Sequence, residues 1–162
     1  MSDTSPIHRN VERMQAVRQD LLDLIASLDP STVETQPVVG EWTLRQVLIH
    51  LADAEKAHRR YAQGLIAGTL TTTQADAATF DVDRWNQGSI ARRDGESVDE
   101  ALARLHAERA QTLAFIPTVP ADAWEKQGIH PALGDLSVLG AIKVIGLHEK
   151  MHLKEILDGL TP

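Results

Sequence analysis

The chain has 162 residues, of which 43% fall in the hydrophobic set, enough apolar mass for one domain whose core needs no covalent staple. It contains no cysteine, which excludes disulfides, thiolate metal sites and a cysteine nucleophile, so any metal must rest on His, Asp or Glu. Sixteen bases against 23 acids leave a net charge of −7 with no basic cluster, which argues against a nucleic-acid partner. No stretch approaches the ~18 consecutive apolar residues of a membrane span, and Met1 to Asn10 lack a basic start followed by an apolar core. The expectation is a cytoplasmic protein with no nucleic-acid or membrane partner.

The first predicted helix starts at Ser5 with Pro6 in its first turn, where a missing N–H costs nothing. Its buried face is Ile7, Val11, Met14, Val17, Leu21, Ile25 and Leu28, and Asp29-Pro30 stops it. A connection with a single turn after Pro30 and breakers at Pro37 and Gly40 follows. The second helix opens on a capping box, Thr43-Leu44-Arg45-Gln46, and fades by Gly68. Its stripe runs through Leu44, Val47, Leu48, Leu51, Ala54 and Leu65. His50 falls at the edge of that stripe, whereas Glu55 and His58 fall inside it.

From Gly68 to Glu96 the chain reads as a long loop, the kind used for a crossover, a lid or an active-site wall. A second capping box, Ser97-Val98-Asp99-Glu100, opens the third helix, which carries Leu102, Leu105, Arg109, Leu113 and Ile116 and ends at Pro117. A further long connection passes Trp124 and Gly134. The fourth helix runs from a Ser137 cap to Gly159, with Val138, Ala141, Ile142, Ile145, Ile156 and Leu160 on its stripe. Gly140 and Gly146 lie inside it, where each costs about 1 kcal/mol against alanine, and close helix contact is one reason to keep them.

Four amphipathic helices predict a four-helix bundle forming a single domain over the whole chain. At 1.5 Å per residue, His50 lies about 10 Å into the second helix, and the pair His148 and His152 about 14 Å from the end of the fourth. Antiparallel second and fourth helices bring the three to one height. That favours up-down-down-up, with the segment 68–96 crossing the length of the bundle.

His148 and His152, four apart, share a helix face with Cβ atoms roughly 5–6 Å apart. With His50 as third ligand they can hold one metal and leave a position open for a nucleophile. Glu149 and Asp53 are the candidates to orient a ligand or move a proton. Tyr61, Trp85, Asn86 and Arg109 are candidate pocket residues; Arg109, on an apolar stripe, can pair with a buried acid or a substrate carboxylate. Trp42 reads as core or a pre-helix staple, and His8, His58, His106 and His130 as solvent-facing or satisfied core groups.

Gly40-Glu41-Trp42-Thr43 leading into Val47-Leu48-Ile49-His50-Leu51-Ala52-Asp53-Ala54-Glu55, followed far downstream by His148 and His152, resembles the DinB-like (YfiT-like) superfamily. The resemblance covers nearly the whole chain, including Trp85-Asn86. It implies a four-helix bundle with a crossover between helices 2 and 3, one divalent metal ion (nickel, zinc or manganese) on the three histidines, and a homodimer. Activities assigned to relatives include thiol-dependent S-transfer and a thiol-dependent maleylpyruvate isomerisation, and others are called metal-dependent hydrolases.

The expected function is therefore a metal-dependent transferase joining a low-molecular-weight thiol to a small electrophile, the metal lowering the thiol's pKa. Three alternatives stand beside it. Metal-activated water attacking a small ester or amide would make a hydrolase, and a non-enzymatic small-molecule-binding dimer would use the metal to hold its fold. A di-iron bundle would use Glu55-x-x-His58 and Glu149-x-x-His152 with Glu12 and Glu108. The zincin pattern His148-Glu149-x-x-His152 also matches, but too little chain follows His152 for a downstream ligand, and no sheet is evident.

Overall fold

Pro6 opens α1 (Pro6–Ser27) in the computed structural model, which describes residues 6–161; the expected Ser5 cap lies outside them. Asp29 caps a short α2 (Pro30–Thr35) by accepting from the Ser31 amide. The chain then forms a small antiparallel hairpin, β1 (Pro37–Val39) with β2 (Trp42–Thr43), turning at Gly40 with φ +57°. Thr43 and Gln46 form the expected reciprocal capping box at the start of α3 (Leu44–Ala67), and Gly68 ends that helix in the left-handed conformation. Ser97 and Glu100 do the same for α6 (Val98–Phe115), which passes into a 3₁₀ turn at Ile116–Thr118. The last helix, α7 (Val138–Leu160), is capped by Ser137.

Two stretches read as irregular are ordered. The segment after Gly68 carries α4 (Gln74–Ala78), capped by Thr73, and α5 (Val82–Ala91), capped by Asp81. The connection before α7 folds into a second hairpin, β3 (Gln127–His130) with β4 (Gly134–Ser137), in unbroken antiparallel register. These elements are too short for periodicity to reveal. The signals available were their caps and the turn at Gly134, with φ +69°.

Side-chain pairings fix the helix directions. Along α1 and α7 the contacts advance together, Gly146 against Met14 and Glu149 against Arg18, so these helices are parallel. Down α3 the partners on α6 also advance, from Arg104 at Asp53 through Arg109 at Glu55 to Thr112 at Arg59. Against α7 they retreat, from His152 at His50 to Leu136, just before α7, at Tyr61. The bundle is up-down-down-up, and the crossover runs through α4 and α5. Among the described residues no helix is long and apolar enough to cross a membrane.

Each long helix carries apolar residues at both ends of the bundle and polar ones between. One apolar cluster gathers Leu21, Leu44, Leu48, Leu105 and Ile156; the other gathers Met14, Tyr61, Ala62, Ala141, Ile142 and Ile145. Burying each such Leu or Ile contributes about 1.5–3 kcal/mol. Close approach is enabled by small residues: a Cβ on Gly146 would sit 2.6 Å from Met14 Cγ, and one on Gly159 only 2.0 Å from the Val38 carbonyl oxygen. Gly146 is therefore a helix-contact residue, as is Gly159 against β1.

The layer between the clusters is ionic. Arg18, Glu55, Arg109 and Glu149, one from each long helix, are all at most 6% exposed. Arg109 donates from Nε to Glu55 Oε1 at 2.9 Å, from Nη2 to Glu149 Oε2 at 2.5 Å and from Nη1 to the Met14 carbonyl at 2.8 Å. Arg18 pairs with Glu149 through Nε, and its Nη2 reaches Glu55 Oε2 at 3.2 Å. Two guanidinium groups against two carboxylates leave the layer neutral, the condition under which buried charge is tolerated.

Candidate metal centre

One and a half turns into α3, His50 points between α3 and α7, and His148 and His152 project toward it from α7. His50 Nε2 lies 3.1 Å from His148 Nε2, which lies 3.0 Å from His152 Nε2. Among the described residues this is the group of three whose ligand atoms lie close enough, within 4.8 Å of one another, to share one ion. An ion about 2.0–2.1 Å from each nitrogen holds tetrahedral ligands roughly 3.3 Å apart, so the spacing fits one small divalent cation.

Among the remaining ring nitrogens, that of His152 agrees with that fit. If the three Nε2 atoms face a cation as lone-pair donors, each ring's proton sits on Nδ1. His152 Nδ1 lies 2.7 Å from Glu155 Oε2, so a carboxylate sits beside the ring's N–H, though not aligned as a hydrogen bond. His50 Nδ1 is buried without a hydrogen-bond partner, and its ring packs against Trp42 at 5.2 Å between centroids. Burial, then repulsion from His148 and His152, pushes His50 down to about 3; burial and His152 push His148 down to about 4. Burial also lowers His152, with Glu155 opposing it. The imidazoles are neutral at pH 7, the form that binds metal.

The wheel placement of His50 at the edge of its stripe has a structural counterpart. The ring is 4% exposed, yet it faces a cavity of about 350 Å³ between α3, α5 and the β3–β4 hairpin. Ala54, Ala57, Tyr61, Leu70, Phe80 and Trp85 give the cavity an apolar wall, and His148, His58 and His130 reach it as well. Trp85 meets His50 edge-on at 6.3 Å. Tyr61 donates its hydroxyl to the Leu136 carbonyl at 2.7 Å.

Other expected site residues lie elsewhere. Asn86 neighbours Trp85 on α5 but is not among the lining residues. Arg109 belongs to the ionic layer. Both Glu149 oxygens are held by Arg18 and Arg109. Asp53 accepts from Ser89 Oγ on α5 and Arg104 Nη1 on α6, each at 2.5 Å, and so ties the crossover to the bundle.

The di-iron arrangement is not formed. Glu55 and Glu149 are consumed by arginines, Glu108 by Arg59, and Glu12 is exposed beside His8. The zincin reading fails for the same reason, since its glutamate faces guanidinium groups.

The sequence reads His58 and His130 as solvent-facing or satisfied core groups, and the second of these holds. His106 and His8 are exposed as expected, but His58 and His130 are 8% and 7% exposed and line the cavity, with His58 Nδ1 3.1 Å from His130 Nε2. The position of His58 inside the α3 stripe was the available signal; His130 had none, because the hairpin carrying it was invisible.

Comparison with known proteins agrees with this architecture. Two solved structures share the fold: the four-helix bundle protein TT2238, with TM-score 0.65, 24% identity and coverage of 93% of this chain and 96% of the other, and YfiT from Bacillus subtilis. YfiT is described as a probable metal-dependent hydrolase with an unusual four-helix bundle topology. It matches with TM-score 0.74 and 17% identity over 98% of this chain and 89% of its own. Proteins from Bacillus cereus (strain 03BB102) and Bacillus thuringiensis subsp. konkukian carry the name "Putative metal-dependent hydrolase"; each is 23% identical over 146 residues, 90% of this chain and 80% of the relative. A family model described as the DinB superfamily matches residues 13–156, which include all three histidines. The chain belongs to the DinB superfamily.

Proposed function

We propose that the protein binds one divalent metal ion on His50, His148 and His152 and hydrolyses a small, largely apolar ester or amide. The convergence of three neutral imidazole nitrogens, two of whose rings, His50 and His148, reach the wall of a largely apolar cavity, carries this reading. When bound, a divalent ion with three protein ligands supplies Lewis acidity at its open position and brings the pKa of water held there to about 7. An all-imidazole donor set suits zinc or nickel better than manganese, which prefers oxygen.

The chain's own residues set the conditions around that chemistry. Trp42 and Trp85 pack on His50 and hold its ring in place. Glu155 faces Nδ1 of His152 and favours the proton there. Glu149 and Asp53 position elements: the first anchors α7 to α1 and α6, the second anchors α5 over the cavity. A cavity of about 350 Å³ is at the small end for ligand sites and suits a single compact substrate with water as the second reactant.

Thiol transfer is the second reading. Arg60, exposed at the rim of the cavity, is the feature in its favour, because low-molecular-weight thiols commonly carry a carboxylate. The test is 4-nitrophenyl acetate with zinc-loaded protein, with and without a thiol. Metal-dependent release of 4-nitrophenol without thiol, lost in His148→Ala, is the expected result. Release that requires thiol and consumes it would favour transfer, and release unaffected by His148→Ala would overturn both readings.

A further inference from the structure

Next to the histidine triad, a chain of hydrogen bonds crosses from the β3–β4 hairpin to α3, and its direction is set by a backbone amide. The Ala132 N–H can only donate, and it donates to His130 Nδ1 at 3.2 Å. A neutral imidazole that accepts at Nδ1 carries its proton on Nε2. His130 Nε2 lies 3.1 Å from His58 Nδ1, so the His130 proton is donated to His58. His58 Nδ1 thus accepts, and the His58 proton resides on Nε2. The opposite arrangement would aim the N–H of Ala132 at an N–H of His130, or set two ring N–H groups against each other.

Both rings are held in this pose. His130 stacks on His58 at 4.9 Å with 29° between planes, and Tyr61 meets His130 at 4.9 Å while its hydroxyl is tied to Leu136. His58 lines the cavity shared with His50 and His148, and its ring centroid lies 6.3 Å from that of His148. Apart from Thr72 and the exposed Arg60, the remaining wall beside it is hydrocarbon and aromatic, from Ala54, Ala57, Leu70, Phe80 and Trp85.

The geometry points to His58 as the cavity's hydrogen-bond donor, presenting Nε2–H to the acceptor oxygen of a small apolar carbonyl compound, with His130 as the residue that sets its tautomer. His58 in this role is an electrophile that polarises or steadies an oxygen and does not abstract a proton. The ligand class follows from the wall: one oxygen acceptor on an aromatic or aliphatic body. The inference extends the hydrolytic reading, because a carbonyl held at His58 lies beside the triad, but its core claim concerns a tautomer and a binding contact that exist with or without metal.

Histidine-selective ¹⁵N NMR of the intact chain, metal-free and zinc-loaded, reads the tautomers directly. Protons on Nε2 of both His58 and His130 are expected, and a proton on Nδ1 of His58 would overturn the inference. Titration with acetophenone, against ethylbenzene as a probe of similar shape without an acceptor, then tests the contact. Phe at position 58, His58→Phe, should weaken acetophenone binding about three- to tenfold, the range of one net hydrogen bond, and leave ethylbenzene unchanged.

His58→Gln, whose amide N–H can reach a similar point, should recover part of the loss. Equal losses for both probes would show a purely steric role and overturn the inference. In His130→Ala the His58 proton should redistribute between its two nitrogens while the far-UV circular dichroism stays helical; a His58 tautomer unmoved by that change would show that His130 does not set it. Failure of the metal reading appears separately, as zinc-loaded spectra identical to the metal-free ones.

Discussion

Removing Arg109 tests the ionic layer that holds the site's helices in place. Arg109→Met keeps much of the side chain's volume and removes the charge, leaving Glu55 and Glu149 both facing Arg18 alone, an uncompensated negative charge in a layer at most 6% exposed. Four donor contacts go with it, two to Glu55, one to Glu149 and one to the Met14 carbonyl. Breaking a buried pair by deleting one partner costs about 3–5 kcal/mol, a large part of the roughly 5–15 kcal/mol total stability of a domain. At about 2–4 °C per kcal/mol for a chain of this size, Tm should fall by roughly 10 °C. Urea unfolding followed by circular dichroism measures the loss, and a second substitution isolates its cause. Adding Glu149→Gln restores charge neutrality, so the double variant should be more stable than Arg109→Met alone, by about 0.5–3 kcal/mol of coupling. A loss under about 1 kcal/mol for the single variant, or strictly additive losses for the pair, would refute the account of the layer.

The metal-free protein should lose stability as pH falls. His50, His58 and His148 are held down to about 3, 3 and 4 against an ordinary value of 6.5. Below pH 6.5 the unfolded chain therefore takes up protons that the native chain refuses, and stability present above 6.5 drains away toward pH 3–4, at up to about 1.4 kcal/mol per pH unit for each histidine. Urea titrations at pH 7.5, 6 and 5 check this, and a flat profile would contradict it. Gly159→Val should destabilise by more than 1 kcal/mol, of the order of overpacked cores, because its Cβ would meet the Val38 carbonyl; thermal melts of the variant decide it. Glu155→Gln, at a half-exposed surface position, should leave the fold unchanged and weaken zinc binding by about tenfold or more in a competition titration with a chelating dye, as loss of a histidine's orienting carboxylate does.

The bundle was readable because long helices repeat their signals. Thr43–Gln46 and Ser97–Glu100 mark helix starts by local chemistry, and the apolar stripes mark the faces that pack. Depth along those helices sufficed to place His50 level with His148 and His152, so the helix directions followed from spacing, whereas the choice of His50 as third ligand rested on the DinB-like resemblance, because its wheel position at the edge of the stripe did not favour it. What spacing could not carry was pairing between distant segments. Arg18 never stood out as the partner of Glu149, because an arginine on a helix face looks solvated until three other helices close over it. His130 sits on a strand of only four residues, and its link to His58 crosses 72 positions of sequence. The segment after Gly68 hid its two helices for a similar reason: α4 has five residues and no buried side chain, which leaves no stripe to detect.

The most direct test is metal content per chain on protein purified without a histidine tag or chelator, for the wild type, His50→Ala and His148→Ala. The account predicts about one divalent ion per chain in the wild type and little in either variant, both still helical, because each removes one of only three ligands on which a site of this type depends. No bound metal after reconstitution of the wild type with zinc or nickel, or a full complement retained in both variants, would contradict it.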